Sequence, residues 1–126
     1  LQPREPFFIA AAELLSKADQ KKIKVYCSSV SIITAEYLLS KNLNNRQIRE
    51  VLRKFRLIVN VLPCDEKIID LGLNSSFKDF EDAVQYYIAD ENGMDVIITR
   101  NEKDFKNSDI PVMTASEFLK RHKRLN

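Results

Sequence analysis

The stretch DFEDAVQYYIADENGMDVIITRNEKDF, residues 79–105, decides how the rest of this chain is read. It runs as an acidic helix start, an amphipathic helix, a turn, a buried strand and a polar loop. Phe80, Ala83, Val84, Tyr87 and Ile88 recur at helical spacing and predict one face packed on a sheet. Asn92-Gly93 is a pair at which helices commonly end, because glycine adopts the left-handed conformation without steric cost. Residues 96–99 are apolar until the last, the pattern of a strand covered on both faces.

At about 100° per residue, Asp79, Asp82 and Tyr86 share a second face of that helix. The two carboxylates then stand one turn apart at the positive end of the helix dipole, which predicts ionised groups with low pKa values. Capping alone also accounts for them: Asp79 is a good N-cap, and an acid three residues later suits the first turn. The loop TRNEKDF, residues 99–105, poses the same choice, since Asn101 is placed to cap a short turn that contains Asp104. Together the two segments favour function. The helix and the following strand pack side by side, so the helix start and the strand end face one cleft, which two independent caps do not require. Arg100, Lys103 and Lys106 are placed either to meet phosphates or to stand as solvated loop charges. Tyr87 is expected in the core and Tyr86 at the cleft edge, where stacking on a base competes with simple packing.

Outward from this stretch, helices alternate with strands. Phe8, Ala11, Ala12 and Leu15 mark a first helical stripe, entered through Pro3 and Pro6. Residues 24–27 read as a short strand. Val30, Ile33, Thr34, Tyr37 and Leu38 form a second stripe; Asn45 caps a third helix carrying Ile48, Val51, Leu52 and Phe55. Residues 57–62 are β-branched and apolar, closed by Pro63, and read as a strand. Asp65 starts a short helix with Ile68 and Leu71. Residues 112–113 form a last strand, and Thr114-Ala115-Ser116-Glu117 is a capping box opening the C-terminal helix. The pattern predicts one α/β domain over residues 1–126, three layers deep, with a parallel sheet between helices. In such sheets functional groups gather beyond the carboxyl ends of strands, where Thr99, Arg100 and Asn101 fall at one end and Ser28 and Ser29 at another.

Composition narrows the chemistry. A net charge of +2 does not announce a nucleic-acid binder, although basic runs at residues 46–56 and 120–124 are either solvated faces or phosphate tracks. Cys27 and Cys64 lie far apart and His122 is the single histidine, which argues against zinc and against a serine triad at Ser28-Ser29. Both thiols abut apolar runs, so free buried cysteines in a reducing cytoplasm are expected. No Gly-rich phosphate loop is present. The longest apolar run, residues 7–12, is too short to span a bilayer.

The chain resembles the PIN domain family, the metal-dependent ribonuclease fold of VapC-type toxins. The resemblance runs from Arg4-Glu5-Pro6-Phe7 to the terminal helix, and its most specific part is residues 79–105, with the acidic helix start, the Asn-Gly turn and the TRN-x-x-DF close. It implies a parallel sheet with flanking helices, an RNA substrate, Mg²⁺ or Mn²⁺ held by carboxylates, an antitoxin partner against the helical surface, and homodimers. Carried over, Asp82 matches the acid at the start of the late helix. Asp104, with Asn101, matches the group after the following strand, and Asp79 an extra acid of the subgroup with a DFED segment. The resemblance makes Asp82, Asp104 and Asp79 the metal ligands and Asn101 a catalytic partner. It also implies a first strand with a leading metal-binding Asp before residue 1, so the chain reads as N-terminally truncated relative to the family. The family's second acid aligns with Thr34; Glu36 is near in sequence but turned by about 200° around a helix. These two departures leave a catalytically degenerate module that binds RNA or protein as the alternative to an active nuclease.

Overall fold

The computed structural model describes residues 7–125. The helix entrance at Pro3 and Pro6 and the side chain of Phe8 lie outside the described residues. Helix α1 (Phe7–Asp19) leads to strand β1 (Tyr26–Ser28), helices α2 (Ser29–Leu39) and α3 (Asn45–Ile58), and strand β2 (Asn60–Leu62). Helices α4 (Glu66–Leu73) and α5 (Phe80–Glu91) follow, then β3 (Ile97–Ile98), a 3₁₀ turn (Glu102–Phe105), β4 (Val112–Met113) and α6 (Ala115–Leu125). Among the described residues, no helix is long and apolar enough to cross a membrane.

The strands are parallel, and the fold has the α/β/α layering expected. They form two separate pairs rather than one continuous sheet. Tyr26, Cys27 and Ser28 align with Asn60, Val61 and Leu62, while Ile97 and Ile98 align with Val112 and Met113. Between the pairs runs a groove of about 930 Å³, bordered by Cys27 and Ser28 on one side and Ile97 and Thr99 on the other. Strand β3 therefore does not match the expectation of cover on both faces: Ile97 is half-buried and Ile98 is 40% exposed.

Local chemistry sets the helix starts. Asp65 and Asp79 cap α4 and α5 by accepting from the backbone N–H three residues on. Thr114 and Glu117 complete the expected capping box, with Thr114 Oγ1 and Glu117 Oε1 each bonded to the other's backbone N–H at 3.2 and 3.0 Å. The cap of α3 is Asn44 rather than Asn45, because Asn44 closes a reciprocal pair with Gln47 at 2.9 and 3.0 Å. Gly93 ends α5 at φ +65°, where a side chain would be strained.

Packing corrects several stripes. In α1 the buried line is Ala10, Leu14 and Ala18, one position round from the predicted one, because α6 lies over it with Ala115 and Leu119. Residues 57–58 are the end of α3, not the start of a strand: Val59 N–H bonds Phe55 O and Leu57 faces solvent. Helix α2 buries none of its residues, and Ile33, Tyr37 and Leu38 of its predicted inner stripe are exposed. Only Val30 of that stripe reaches a core, the cluster of Ile68, Val84 and Ile88.

A candidate acidic site between helix start and strand end

Asp79 is in extended backbone, φ −105° and ψ 126°, and its Oδ1 accepts the Asp82 backbone N–H at 2.9 Å. That oxygen is thereby engaged in capping the helix start. Asp82, in the first turn, is half-buried and faces the groove between the strand pairs. Its carboxyl is pushed up from the ordinary aspartate range, first by burial and then by the negative charges of Asp79, Asp104 and Glu81. The expectation of a low pKa from the helix dipole thus fails for Asp82: desolvation and like charges outweigh the dipole.

Asp104 sits in the 3₁₀ turn beyond β3, and this turn packs against α5. The Phe105 ring of this turn lies 6.4 Å from that of Phe77, just before α5, so the turn stands beside the helix start, and the charge of Asp104 adds to those around Asp82. The turn is held by its backbone: Asp104 N–H donates to Asn101 O at 3.1 Å, and Asn101 N–H donates to Thr99 Oγ1 at 3.1 Å. The Asn101 side chain makes no cap hydrogen bond and is exposed, as are Arg100, Lys103 and Asp104.

Tyr86 is not at the cleft edge. It is 5% exposed, lies 5.3 Å from the Phe77 ring and 5.0 Å from the Tyr87 ring, and its hydroxyl accepts the Asp109 backbone N–H at 3.3 Å. A ring so enclosed cannot stack on a base. Tyr87 is the less buried of the two. Two groove residues were missed in the sequence. Gln85 Nε2 donates to Ser31 Oγ at 3.0 Å, and Ser28 Oγ donates to Ser31 Oγ at 3.2 Å. All three line the groove with Asp82. The available signal was the spacing of Gln85, three residues after Asp82 and so on the same helical side. Thr34 is half-buried, Glu36 is exposed, and neither lines the groove.

For a divalent cation the donor chemistry is suitable and the donor count is small. Carboxylate oxygens whose negative charges already disfavour one another are what Mg²⁺ or Mn²⁺ would neutralise. Among the described residues, no three His, Cys, Asp or Glu side chains converge closely enough to hold an ion. With Asp79 engaged as a cap, the carboxylates left for an ion are those of Asp82 and Asp104, a number that suits only a Mg²⁺-type site that keeps several waters.

Set against known proteins, residues 1–103 match the family model for the PIN domain. This chain belongs to the PIN domain family. It is 33% identical over 105 residues, 79% of its own length and 72% of the relative's, to Ribonuclease VapC1 of Aquifex aeolicus (strain VF5).

Proposed function

We propose that this chain is a metal-dependent endoribonuclease of PIN type, the toxin of a toxin–antitoxin pair. The observation that carries the reading is Asp82 on the wall of an open groove at the start of α5, with the acidic 3₁₀ turn of Asp104 packed against that helix. Membership of the PIN family and similarity to a protein named as a ribonuclease support it.

In this reading Asp82 and Asp104 are the residues that would hold Mg²⁺ or Mn²⁺. The ion, when bound, lowers the pKa of a coordinated water and neutralises charge on the scissile phosphate. Asp79 fixes the first turn from which Asp82 projects and adds negative charge beside it. Asn101, exposed at the end of β3, orients the water or the phosphate, and Arg100 and Lys103 meet flanking phosphates.

The test is Mn²⁺-dependent cleavage of a single-stranded RNA, wild type beside Asp82→Asn. The substitution leaves the Asp79 cap in place, because that bond uses the backbone N–H of residue 82. Cleavage should fall by about 100-fold or more while the fold is kept. Full activity in the variant would overturn the assignment.

A second reading is a PIN domain that binds RNA or protein without cutting it. It is favoured by the absence of a three-acid group among the described residues and by Thr34 where the family carries an acid. Calorimetry separates the two: heat of Mn²⁺ binding that disappears in Asp82→Asn belongs to the nuclease, and heat indifferent to Asp82 to the binding module.

A further inference from the structure

Helix α5 and the β1–α2 segment both line the groove, α5 through Asp82 and Gln85, the segment through Cys27, Ser28 and Ser31. Two contacts of different character join them. Val30 of α2 packs on the cluster of Ile68, Val84 and Ile88, an apolar contact that brings the helices together but has no preferred direction. The neighbouring residue makes a directional one: Gln85 Nε2 donates to Ser31 Oγ at 3.0 Å. Among the described residues this is the one side-chain hydrogen bond between α5 and the β1–α2 segment, and it joins positions 54 apart in the sequence.

The acceptor is itself held. Ser28 ends β1 and caps α2, and it is 4% exposed. Its Oγ accepts the Ser31 backbone N–H at 3.0 Å and donates to Ser31 Oγ at 3.2 Å. Ser31 Oγ thus accepts from Ser28 and from Gln85, which uses both of its lone pairs. Through this hydroxyl the Gln85 amide is tied to the carboxyl end of a strand.

Gln85 follows Asp82 by three residues, which places the two about 60° apart round the helix and about 4.5 Å apart along it. A roll of α5 by about 10° would carry a carboxylate about 6 Å from the helix axis through about 1 Å. A functional group has to be held to about 0.5 Å. The α4–α5 core sets the depth and tilt of α5. The amide bond adds a restraint on rotation, because a hydrogen bond weakens steeply with angle.

We infer that Gln85 is a positioning residue for Asp82: bonded to Ser31, it fixes the rotation of α5 and with it the place of the Asp82 carboxylate at the groove. It acts through that placement and not by contact with ion or RNA. The inference rests on the proposed function for the ion that Asp82 would hold.

The test is calorimetric titration of Mn²⁺ into the whole chain, with no RNA present, beside thermal unfolding of each protein. Gln85→Ala and Ser31→Ala should each weaken Mn²⁺ binding by about tenfold or more, the scale of loss when a group supporting a metal ligand is removed. The double variant should bind no worse than either single one, because both changes break the same bond. Ser31→Thr keeps the hydroxyl and should keep the wild-type affinity. Thermal unfolding should change little in every variant, since water in the open groove can bond the groups left over. Wild-type affinity in both alanine variants would overturn the inference and leave the nuclease reading standing. Additive losses, a Ser31→Thr variant as weak as Ser31→Ala, or a loss of affinity matched by a fall in unfolding temperature would also overturn it, reducing the bond to a structural one. A wild type that binds no Mn²⁺ would overturn the nuclease reading, and this inference with it.

Discussion

Two helix pairs in this molecule are built from similar amphipathic patterns and meet opposite fates. In α4–α5 the apolar faces are turned on one another: Ile68, Gly72, Ala83, Val84 and Ile88 are all buried. Gly72 allows the close approach, since a Cβ there would stand 3.1 Å from Phe80 Cε1 and 3.3 Å from Val84 Cγ2. In α2–α3 one residue, Ile48, is buried, and Ile33, Tyr37, Leu38 and Val51 face solvent. The difference shows where rigidity is placed. Asp82 projects from the packed pair, so its position is set by a close-packed core. The open pair leaves Ile33, Tyr37 and Leu38 uncovered beside Arg49 and Arg53, so nothing in the described residues fixes this face as the α4–α5 core fixes Asp82.

The comparison is broken most severely by a cavity in the packed pair. Ile88 is 2% exposed and lies in one cluster with Ile68 and Val84. Ile88→Ala removes buried methylene and methyl groups that the surrounding helices cannot fully replace. Urea unfolding should show a loss of about 2–5 kcal/mol. A loss below about 1 kcal/mol would mean that α5 is not held by this core, and the rigid seat for Asp82 would go with it.

What the sequence revealed follows the same division. The caps at Asp65, Asp79 and Thr114–Glu117 and the stop at Gly93 were legible because each depends on a few adjacent residues. The convergence of residues 79–82 with 99–105 was legible because a helix and the strand that follows it pack together. The exposure of Ile33 and Tyr37 was not. Helix α2 is apolar on several sides, so its periodicity cannot choose which side is covered. Tyr86 and Tyr87 are adjacent and chemically alike; only the neighbouring Phe77 and the Asp109 amide decide which one is enclosed. The Ser31–Gln85 bond joins residues 54 apart, and no local pattern announces it. The direction of the Asp82 shift needed both burial and the nearness of Asp104, neither of which the helix dipole argument contains.

That shift gives a smaller prediction at the site itself. Asp82 has a raised carboxyl pKa in the folded chain, so the native state binds its proton more tightly than the unfolded state does. The stability linked to this proton is fully present below the ordinary aspartate value. It is lost as pH rises through the raised folded value, so at neutral pH the ionised group opposes folding. Asp82→Asn should therefore be more stable than wild type at pH 7, with solvent screening limiting the gain to about 0.5–1 kcal/mol. The gain should shrink toward zero as the pH is lowered past the ordinary aspartate value. Thermal unfolding of both proteins across that range checks the sign. A variant less stable at pH 7 would show that the Asp82 carboxylate is held by a favourable partner rather than crowded by acids.

The smallest effect belongs to the open pair, and it tests the other half of the comparison. Ile33→Ser removes a large apolar side chain from a helix position that is 69% exposed, so little area is returned to water on substitution. Serine has a helix propensity close to that of isoleucine, which leaves the local cost small. Unfolding free energy of the isolated chain should stay within about 0.5 kcal/mol of wild type. A side chain of this size that can be deleted from a helix without cost is not serving the fold. A loss of about 2 kcal/mol would instead put Ile33 against a packed neighbour in solution and erase the contrast between the two helix pairs.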